Sequence, residues 1–152
     1  MSVLYPSEKW CEAARDALNS NPELARLGKK WGVGFNGDWL YELEPGAGLE
    51  KTTYVFIRYK AGKCQRAAIV NDSSDVECGF HVKGSYADFK DVMSGKKEFI
   101  EGMVRAKFKK VTGDGKQLMR NARFSKVFTD TLRSIDTVFL DDEPGRGIGQ
   151  GN

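Results

Sequence analysis

Residues 84–96 read Gly-Ser-Tyr-Ala-Asp-Phe-Lys-Asp-Val-Met-Ser-Gly-Lys, and this stretch decides the fold. Ser85 with Asp88 three positions later has the spacing of a capping box, which predicts that a helix begins here. Gly95 predicts the end of that helix, because glycine readily adopts the left-handed conformation of a helix C-terminus. The stretch supplies apolar side chains to a common interior and places none of its residues as a nucleophile or a metal ligand. It therefore favours a protein that holds a ligand over one that transforms it.

The residues that follow predict a short helical turn, a strand and a final long helix. Phe99 and Gly102 lie in the predicted turn, and the stretch from Val104 to Lys109 alternates apolar and basic residues, as in a strand with one solvated face. Gly113-Asp114 then precedes the longest helical pattern of the chain. Its apolar stripe comprises Leu118, Met119, Ala122, Phe124, Val127, Phe128, Leu132 and Ile135.

The N-terminal half predicts two helices followed by strands. Ser7 is placed to cap the first helix, and Asn21-Pro22 has the residue types that begin a second one. Ala61-Gly62 predicts a tight hairpin turn, with glycine supplying the positive φ. The predicted strands cover residues 35–44, 52–60, 63–70 and 78–82.

Length and composition indicate one globular domain. The chain has 152 residues, of which 40% are hydrophobic and 30% are charged, enough for a single core. The net charge of +3 is far below that of a dedicated nucleic-acid binder, so no nucleic-acid partner is expected. Three cysteines are too few for a disulfide framework and favour a reducing compartment. Because neither a signal peptide nor a long apolar run is present, we expect a cytoplasmic protein.

Residue patterns that would support catalysis or metal binding are weak. His81 lies three residues after Cys78 on a predicted strand, which sends the two side chains to opposite faces, and no second cluster completes a zinc site. The carboxylate pair Asp88 and Asp91 falls on a helix surface, where solvation explains it. The glycines of residues 145–149 neither follow a strand nor open a helix, so they do not form a dinucleotide fingerprint. We therefore expect no catalytic residue, no metal, no cofactor and no enzymatic activity.

Two groups of residues, one basic and one apolar, each fit both a structural and a ligand-binding role. The basic residues of the C-terminal half suit either solvated faces or a patch for anionic lipid headgroups, a coenzyme A phosphate or nucleic acid. Phe108 alternates to the opposite face, which weakens the nucleic-acid alternative. The apolar residues after Ser85 fit ordinary core packing, and the Met and Phe side chains among them also suit a malleable cavity.

Several of these segments together resemble the sterol carrier protein type two (SCP2-like) lipid-binding family. The resemblance rests on Gly84-x-Tyr86-x-x-Phe89, on Ser94-Gly95-Lys96, on Phe99 and Gly102, on the alternating strand to Lys109, on Gly113-Asp114, and on the hairpin from Tyr54 to Lys63. It is strongest over residues 30–133. The C-terminal Gln150-Gly151-Asn152 differs from the Ser-Lys-Leu peroxisomal address of eukaryotic members, which keeps a cytoplasmic setting as the expectation.

The resemblance implies a single α+β domain over residues 1–140, with a mixed five-stranded sheet covered by helices. The alternating glycines near the end predict a flexible tail over 141–152. The resemblance also implies an apolar tunnel between sheet and helices for a fatty acid, a fatty acyl-CoA, a sterol or a related lipid, and no catalytic residue. The residues that it places along the ligand are Phe89, Val92, Met93, Phe99, Ile100, Met103, Leu118, Met119, Ala122, Val127 and Phe128.

Three functions are compatible with the sequence. The first is a non-catalytic carrier of lipids that makes transient contact with an anionic membrane surface. The second is a non-enzymatic accessory or assembly domain whose core is filled by its own side chains, and the third is an enzyme that uses acyl-CoA. The sequence leaves open which lipid is bound and what the oligomeric state is, a dimer included.

Overall fold

The computed structural model of the protein describes residues 2–96, 108 and 110–142. The strands in these residues are β1 (Val3–Tyr5), β2 (Trp39–Glu44), β3 (Thr53–Lys60), β4 (Lys63–Val70), β5 (Phe80–Ser85), β6 (Lys110–Thr112) and β7 (Thr137–Phe139). The helices are α1 (Glu8–Asn19), α2 (Pro22–Leu27), α3 (Tyr86–Met93), α4 (Gly115–Arg120) and α5 (Ala122–Arg133). Short 3₁₀ turns cover Ser73–Asp75 and Leu140–Asp142.

Strands β2 to β6 form one mixed sheet in the order β4-β3-β2-β5-β6. Strands β2 and β5 are parallel, and the other neighbours are antiparallel. The prediction of a single α+β domain with a five-stranded mixed sheet is therefore confirmed for the part of the chain that the structure describes. Strands β1 and β7 form a separate parallel pair.

The helices cover one face of the sheet and enclose the main core. Because successive strand residues point to opposite faces, Val55, Ile57 and Tyr59 of β3 lie together on the helix side, and each is at most 1% exposed. On the other face Phe56 packs with Leu40 and Val70 in a smaller cluster, which is flanked by Val76 and Cys78 from the loop before β5. This division of β3 into two faces agrees with the sequence pattern.

The helix boundaries follow the predicted caps. The Ser7 hydroxyl accepts a hydrogen bond from the Trp10 amide at 3.0 Å, and Asn21 accepts from the first amides of α2. Ser85 accepts from the Asp88 amide at 3.0 Å, and Gly95 has a φ of 86° just after α3. These side chains satisfy amides that have no partner inside the helix, so the local sequence is enough to set the ends.

Several sequence predictions need correction. The long helix predicted after Gly113-Asp114 is two helices, separated by Asn121, whose side-chain amide donates to the Gln117 carbonyl at 2.8 Å. An asparagine that bonds its own backbone competes with the helical hydrogen bonds, which explains the break. In the hairpin turn Gly62 has the predicted positive φ, at 87°, and Ala61 beside it also has a positive φ of 53°, which was not predicted. Strand β2 begins at Trp39 and not near residue 35, and β5 covers residues 80–85 and not 78–82.

Other predictions fall on residues outside the described ones. The turn around Phe99 and Gly102 lies there, as does the strand from Val104 to Lys109 except for Phe108, which is buried. The division at residue 140 stays a prediction. The first two residues of the predicted tail, Asp141 and Asp142, form ion pairs with Lys90 of α3 at 2.8 and 2.9 Å.

Polar side chains of α1 bond the outer edge of strand β4. The Asn19 amide group donates to the Cys64 carbonyl at 3.0 Å and accepts from the Cys64 amide at 2.8 Å. Near the other end of the strand, Glu8 accepts a hydrogen bond from the Ile69 amide at 2.8 Å. Helix α1 is therefore fixed to the edge of the sheet by hydrogen bonds as well as by its buried apolar face.

The hydroxyl of Tyr86 joins the two ends of the chain, and its removal is expected to destabilise the fold. It donates to the Tyr5 carbonyl at 2.6 Å and accepts from the Leu140 amide at 3.0 Å. Because Tyr86→Phe leaves two backbone groups without this partner, we expect the free energy of unfolding to fall by about 1–3 kcal/mol. Urea denaturation measures the change. Tyr54→Phe on the other face of the sheet is the control, and an equal loss in both variants would contradict this role of Tyr86.

Candidate functional site

A small apolar cavity lies between the inner face of the sheet and the helices that cover it. Its volume is about 30 Å³. Among the described residues, strands β2 and β3 form its floor, helix α3 forms one wall, and α1, α5 and β1 border it on the remaining sides. The floor and the α3 wall consist of Tyr41, Val55, Ile57, Phe89, Val92 and Met93.

The spacing of these residues along the chain explains why they meet. Val55 and Ile57 are two apart on a strand and share a face, whereas Phe89, Val92 and Met93 are spaced i, i+3, i+4 on one face of a helix. The cap at Ser85 fixes where α3 begins, so it also fixes which of its residues face the sheet. The cavity lies where the apolar face of β3 and the apolar face of α3 are opposite each other across the core.

The described residues on the remaining sides of the cavity are both apolar and polar. Trp10 of α1 and Leu132 of α5 contribute apolar surface, and Tyr5 and Thr129 each contribute a hydroxyl. The described lining residues include no Lys, Arg, His, Asp or Glu. Burial raises the pKa of the Tyr5 and Tyr41 phenols well above the usual value, so both stay protonated at neutral pH. The described part of the lining therefore carries no charge at neutral pH.

The structure brings some of the predicted site residues together and separates others. Phe89, Val92 and Met93 line the cavity. Phe128 is buried in an aromatic cluster, with ring centroids 5.7 Å from Phe124, 5.9 Å from Tyr59 and 6.5 Å from Trp39. Leu118 is buried, Ala122 and Val127 are half-buried, and none of these three borders the cavity; Phe99, Ile100 and Met103 lie outside the described residues.

Met119 does not face the interior as its place in the apolar stripe predicts. Its side chain is 62% exposed. The stripe assumed one continuous helix, whereas the break at Asn121 gives α4 its own orientation, in which Leu118 is the buried residue. The involvement of the whole predicted set in ligand binding stays a prediction.

The residues of the floor and of the remaining sides of the cavity were not predicted from the sequence. The alternation along β3 could have identified Val55 and Ile57, because it places them on the same face as the buried Tyr59. Nothing in the local sequence indicates Tyr5 or Thr129, since each reaches the cavity through contacts between distant segments.

Two buried thiols and the single histidine lie outside the cavity. Burial raises the pKa of the Cys11 thiol to about 12 and that of Cys64 to about 11, so both are protonated at neutral pH. His81 lies on the opposite sheet face with its Nε2 2.8 Å from Glu42 Oε1. Among the described residues, no three His, Cys, Asp or Glu side chains are grouped to hold a metal ion. The helices of this part of the chain are all too short or too polar to cross a bilayer.

Comparison with solved structures identifies the class of fold. The chain superposes on a crystal structure of sterol carrier protein 2 with a TM-score of 0.74 and 20% identity, over 85% of this chain and 97% of that one. A conserved hypothetical protein from Thermus thermophilus gives a TM-score of 0.74 and 18% identity, over 97% of both chains. The sterol carrier protein domain 2 of Helicoverpa armigera gives a TM-score of 0.54 and 14% identity, over 86% and 95%.

The protein is thus an α+β protein whose helices cover one face of a mixed sheet around an apolar interior. Its particular fold is that of sterol carrier protein 2, which confirms at the level of fold the resemblance found in the sequence. No family model and no curated protein matches the sequence.

Proposed function

We propose that the protein is a non-catalytic intracellular carrier that binds one long apolar ligand, such as a fatty acid, a fatty acyl-CoA or a sterol-like lipid. The observation that carries the proposal is the apolar cavity between sheet and helices, whose described lining has no charged side chain, in a sterol carrier protein 2 fold. Each buried methylene of such a ligand contributes about 0.8 kcal/mol to binding. No covalent step is part of the proposal.

The size of the cavity sets a condition on this function. A volume of about 30 Å³ is close to that of one water molecule, whereas ligand sites usually have roughly 300–1,000 Å³. A long ligand must therefore displace side chains of the wall. Met93 is suited to this, because it is half-buried at the end of α3 and a methionine side chain changes rotamer easily.

The same small volume favours a second candidate function. If the side chains stay as they are, the domain is a packed module that serves in assembly with other proteins and takes up no lipid. The two functions differ in what they predict for purified protein. Organic extraction followed by mass spectrometry recovers one class of long-chain lipid from a carrier. A blank extract together with no uptake of a fluorescent fatty acid would contradict the carrier and support the packed module.

We also propose that the carrier makes transient contact with anionic membranes. Lys29 and Lys30 are exposed at the end of α2, next to Val33, which is 52% exposed. The Trp31 ring stacks on Phe124 at 4.9 Å, which brings this loop beside the junction of α4 and α5. Exposed cations near an exposed apolar side chain suit a surface of anionic lipids. Sedimentation with vesicles of phosphatidylserine and phosphatidylcholine tests this, and binding that does not weaken with added salt would contradict it.

Enlarging the α3 wall is expected to block uptake of the ligand. In Met93→Trp the indole takes the space that the ligand needs, so we expect affinity for a fluorescent fatty acid to fall at least tenfold, or about 1.4 kcal/mol. Fluorescence titration measures the change. Met119→Trp is the matched control, because it makes the same substitution on the surface and should leave affinity unchanged. Equal affinity in the two variants would place the ligand somewhere other than this cavity.

A further inference from the structure

Two pairs of like-charged side chains follow each other across strands β3 and β4. Arg58 is directly opposite Arg66, and Lys60 is directly opposite Lys63. Arg58 shares a face of the sheet with Phe56, two positions earlier, which packs on the side away from the cavity. Like charges directly opposite each other in an antiparallel pair are destabilising. This end of the hairpin therefore concentrates positive charge that an anion would offset.

The side chain of Arg58 is held in a fixed position. Its Nε donates to Asp38 Oδ2 at 3.0 Å, and its guanidinium carbon lies 5.5 Å from the centroid of the buried Phe56 ring. Asp38 is only 8% exposed, and its backbone amide donates to the Asn36 side chain at 2.8 Å. No described residue accepts a hydrogen bond from the two terminal nitrogens of Arg58. That edge of the guanidinium group is therefore left to bind an anion.

The second arginine has no carboxylate partner among the described residues. The guanidinium carbon of Arg66 lies 5.4 Å from the centroid of the same Phe56 ring, and its side chain is exposed. Asp75 and Glu77 line a neighbouring polar cleft together with both arginines, yet neither forms an ion pair with them. Two guanidinium groups beside one ring thus share a single paired carboxylate, that of Asp38.

A polar cleft of about 300 Å³ lies between this hairpin and the loop of residues 32–38. Its described lining includes the cations of Arg58 and Lys60 and the side-chain amides of Asn36 and Gln65. Because the Asn36 oxygen already accepts a bond, the NH₂ group is what this side chain offers to a ligand. The volume is at the lower end for ligand sites, roughly 300–1,000 Å³, and suits a small polar group.

These donors match a phosphate group better than a carboxylate. A phosphate monoester carries about two negative charges at neutral pH and has three terminal oxygens that accept hydrogen bonds. The planar edge of an arginine binds two such oxygens at once, while a lysine ammonium and amide groups can bond to the remaining lone pairs. A carboxylate has one charge and two oxygens, so it would leave part of this donor set unused.

We propose that the cleft binds a phosphate monoester through the terminal nitrogens of Arg58 and the ammonium of Lys60, with Arg66 adding positive charge beside it. The site is separate from the apolar cavity and does not depend on the carrier function. Either a soluble phosphate ester or the headgroup of a lipid such as phosphatidic acid supplies this chemistry. Val33, which follows Gly32 of the cleft lining and is 52% exposed, favours the lipid.

Calorimetric titration with glycerol 3-phosphate at neutral pH tests the site, with acetate as the comparison anion. We expect glycerol 3-phosphate to bind about fivefold or more tightly than acetate. Lys60→Gln and Arg66→Gln should each weaken its binding by about fivefold or more. Arg58 is not substituted, because its loss would leave the buried Asp38 carboxylate without a partner.

Lys51→Gln is the matched control. It removes the same charge from an exposed lysine beyond the opposite end of β3, so glycerol 3-phosphate should bind within about twofold of the wild type. Lys60→Arg keeps the charge and should retain binding. Uptake of a fluorescent fatty acid should be the same in Lys60→Gln and the wild type, so this site and the carrier function can fail independently.

Vesicles distinguish the two sources of the phosphate. Sedimentation is compared between phosphatidylcholine vesicles with phosphatidic acid and with phosphatidylserine, at equal surface charge. A preference for phosphatidic acid that glycerol 3-phosphate abolishes identifies a lipid headgroup, whereas equal sedimentation with tight binding of glycerol 3-phosphate identifies a soluble ester. The proposal is overturned if glycerol 3-phosphate does not saturate the protein and phosphatidic acid is not preferred. It is also overturned if Lys51→Gln loses as much affinity as Lys60→Gln, since the attraction is then a general effect of charge.

Discussion

Gly79→Ala is expected to lower the free energy of unfolding by about 3 kcal/mol or more, which is severe for the addition of one methyl group. A Cβ at residue 79 would lie 1.7 Å from the backbone oxygen of Asn36. That oxygen cannot easily move away, because the neighbouring Asp38 carbonyl accepts hydrogen bonds from the amides of Gly79 and Phe80 at 3.1 and 3.0 Å. Two backbone segments are thus fixed against each other, and only a residue without a side chain fits between them.

Gly115→Ala is the matched control for this prediction. A Cβ at residue 115 would meet nothing within 4 Å, and the residue begins helix α4. We therefore expect stability within about 0.5 kcal/mol of the wild type, or a slight gain from the higher helix propensity of alanine. Urea denaturation of both variants decides the matter. Losses of the same size would show that the close approach of residues 36 and 79 does not hold the fold together.

Phe128→Ala is expected to cost about 3–5 kcal/mol, since it removes a ring from the centre of the aromatic cluster. Phe128 is 3% exposed and contacts Trp39 and Tyr59 on the sheet as well as Phe124 on its own helix. Because this cluster is already closely packed, we expect the variant to lose stability and not merely to enlarge the cavity.

Val127→Ala provides the comparison on the same helix. Val127 is half-buried, so its shortening should cost about 1 kcal/mol or less. Thermal and urea unfolding of the two variants gives the difference. A cost below about 1.5 kcal/mol for Phe128→Ala would mean that the cluster collapses easily around the missing ring, as expected for a loosely packed ligand site.

Local signals in the sequence predicted most of the elements, and contacts between distant segments account for the errors. The caps at Ser7, Asn21 and Ser85 act within four residues, so they can be identified without the fold. Strands β1 and β7 have three residues each and pair Val3 with Thr137 across almost the whole chain, too short and too distant for a periodic pattern. The break at Asn121 was missed because the apolar stripe continues through it.

In the candidate site, too, the residues with a local sequence signal were predicted and those that depend on contacts between distant segments were not. Phe89, Val92 and Met93 have i, i+3, i+4 spacing and border the cavity, and the family resemblance had named all three as ligand-facing. That they contact a ligand stays a prediction. Two other lining residues, Tyr5 of β1 and Thr129 of α5, come from segments more than 100 positions apart in the sequence, so no local pattern could place them together. Met119 fits the same helical spacing yet is exposed, because spacing alone cannot reveal that α4 and α5 are separate helices.

The hydrogen bonds from α1 to strand β4 also affect whether a strand from another copy of the protein can pair with the edge of the sheet. An edge strand with free amide and carbonyl groups is a template on which a strand from another chain can add, the usual first step toward aggregation. On β4, Asn19 occupies both backbone groups of Cys64, and Glu8 occupies the amide of Ile69. An incoming strand would have to displace these side chains at both ends of β4 before it could extend the sheet. Helix α1 therefore hinders edge-to-edge association through β4.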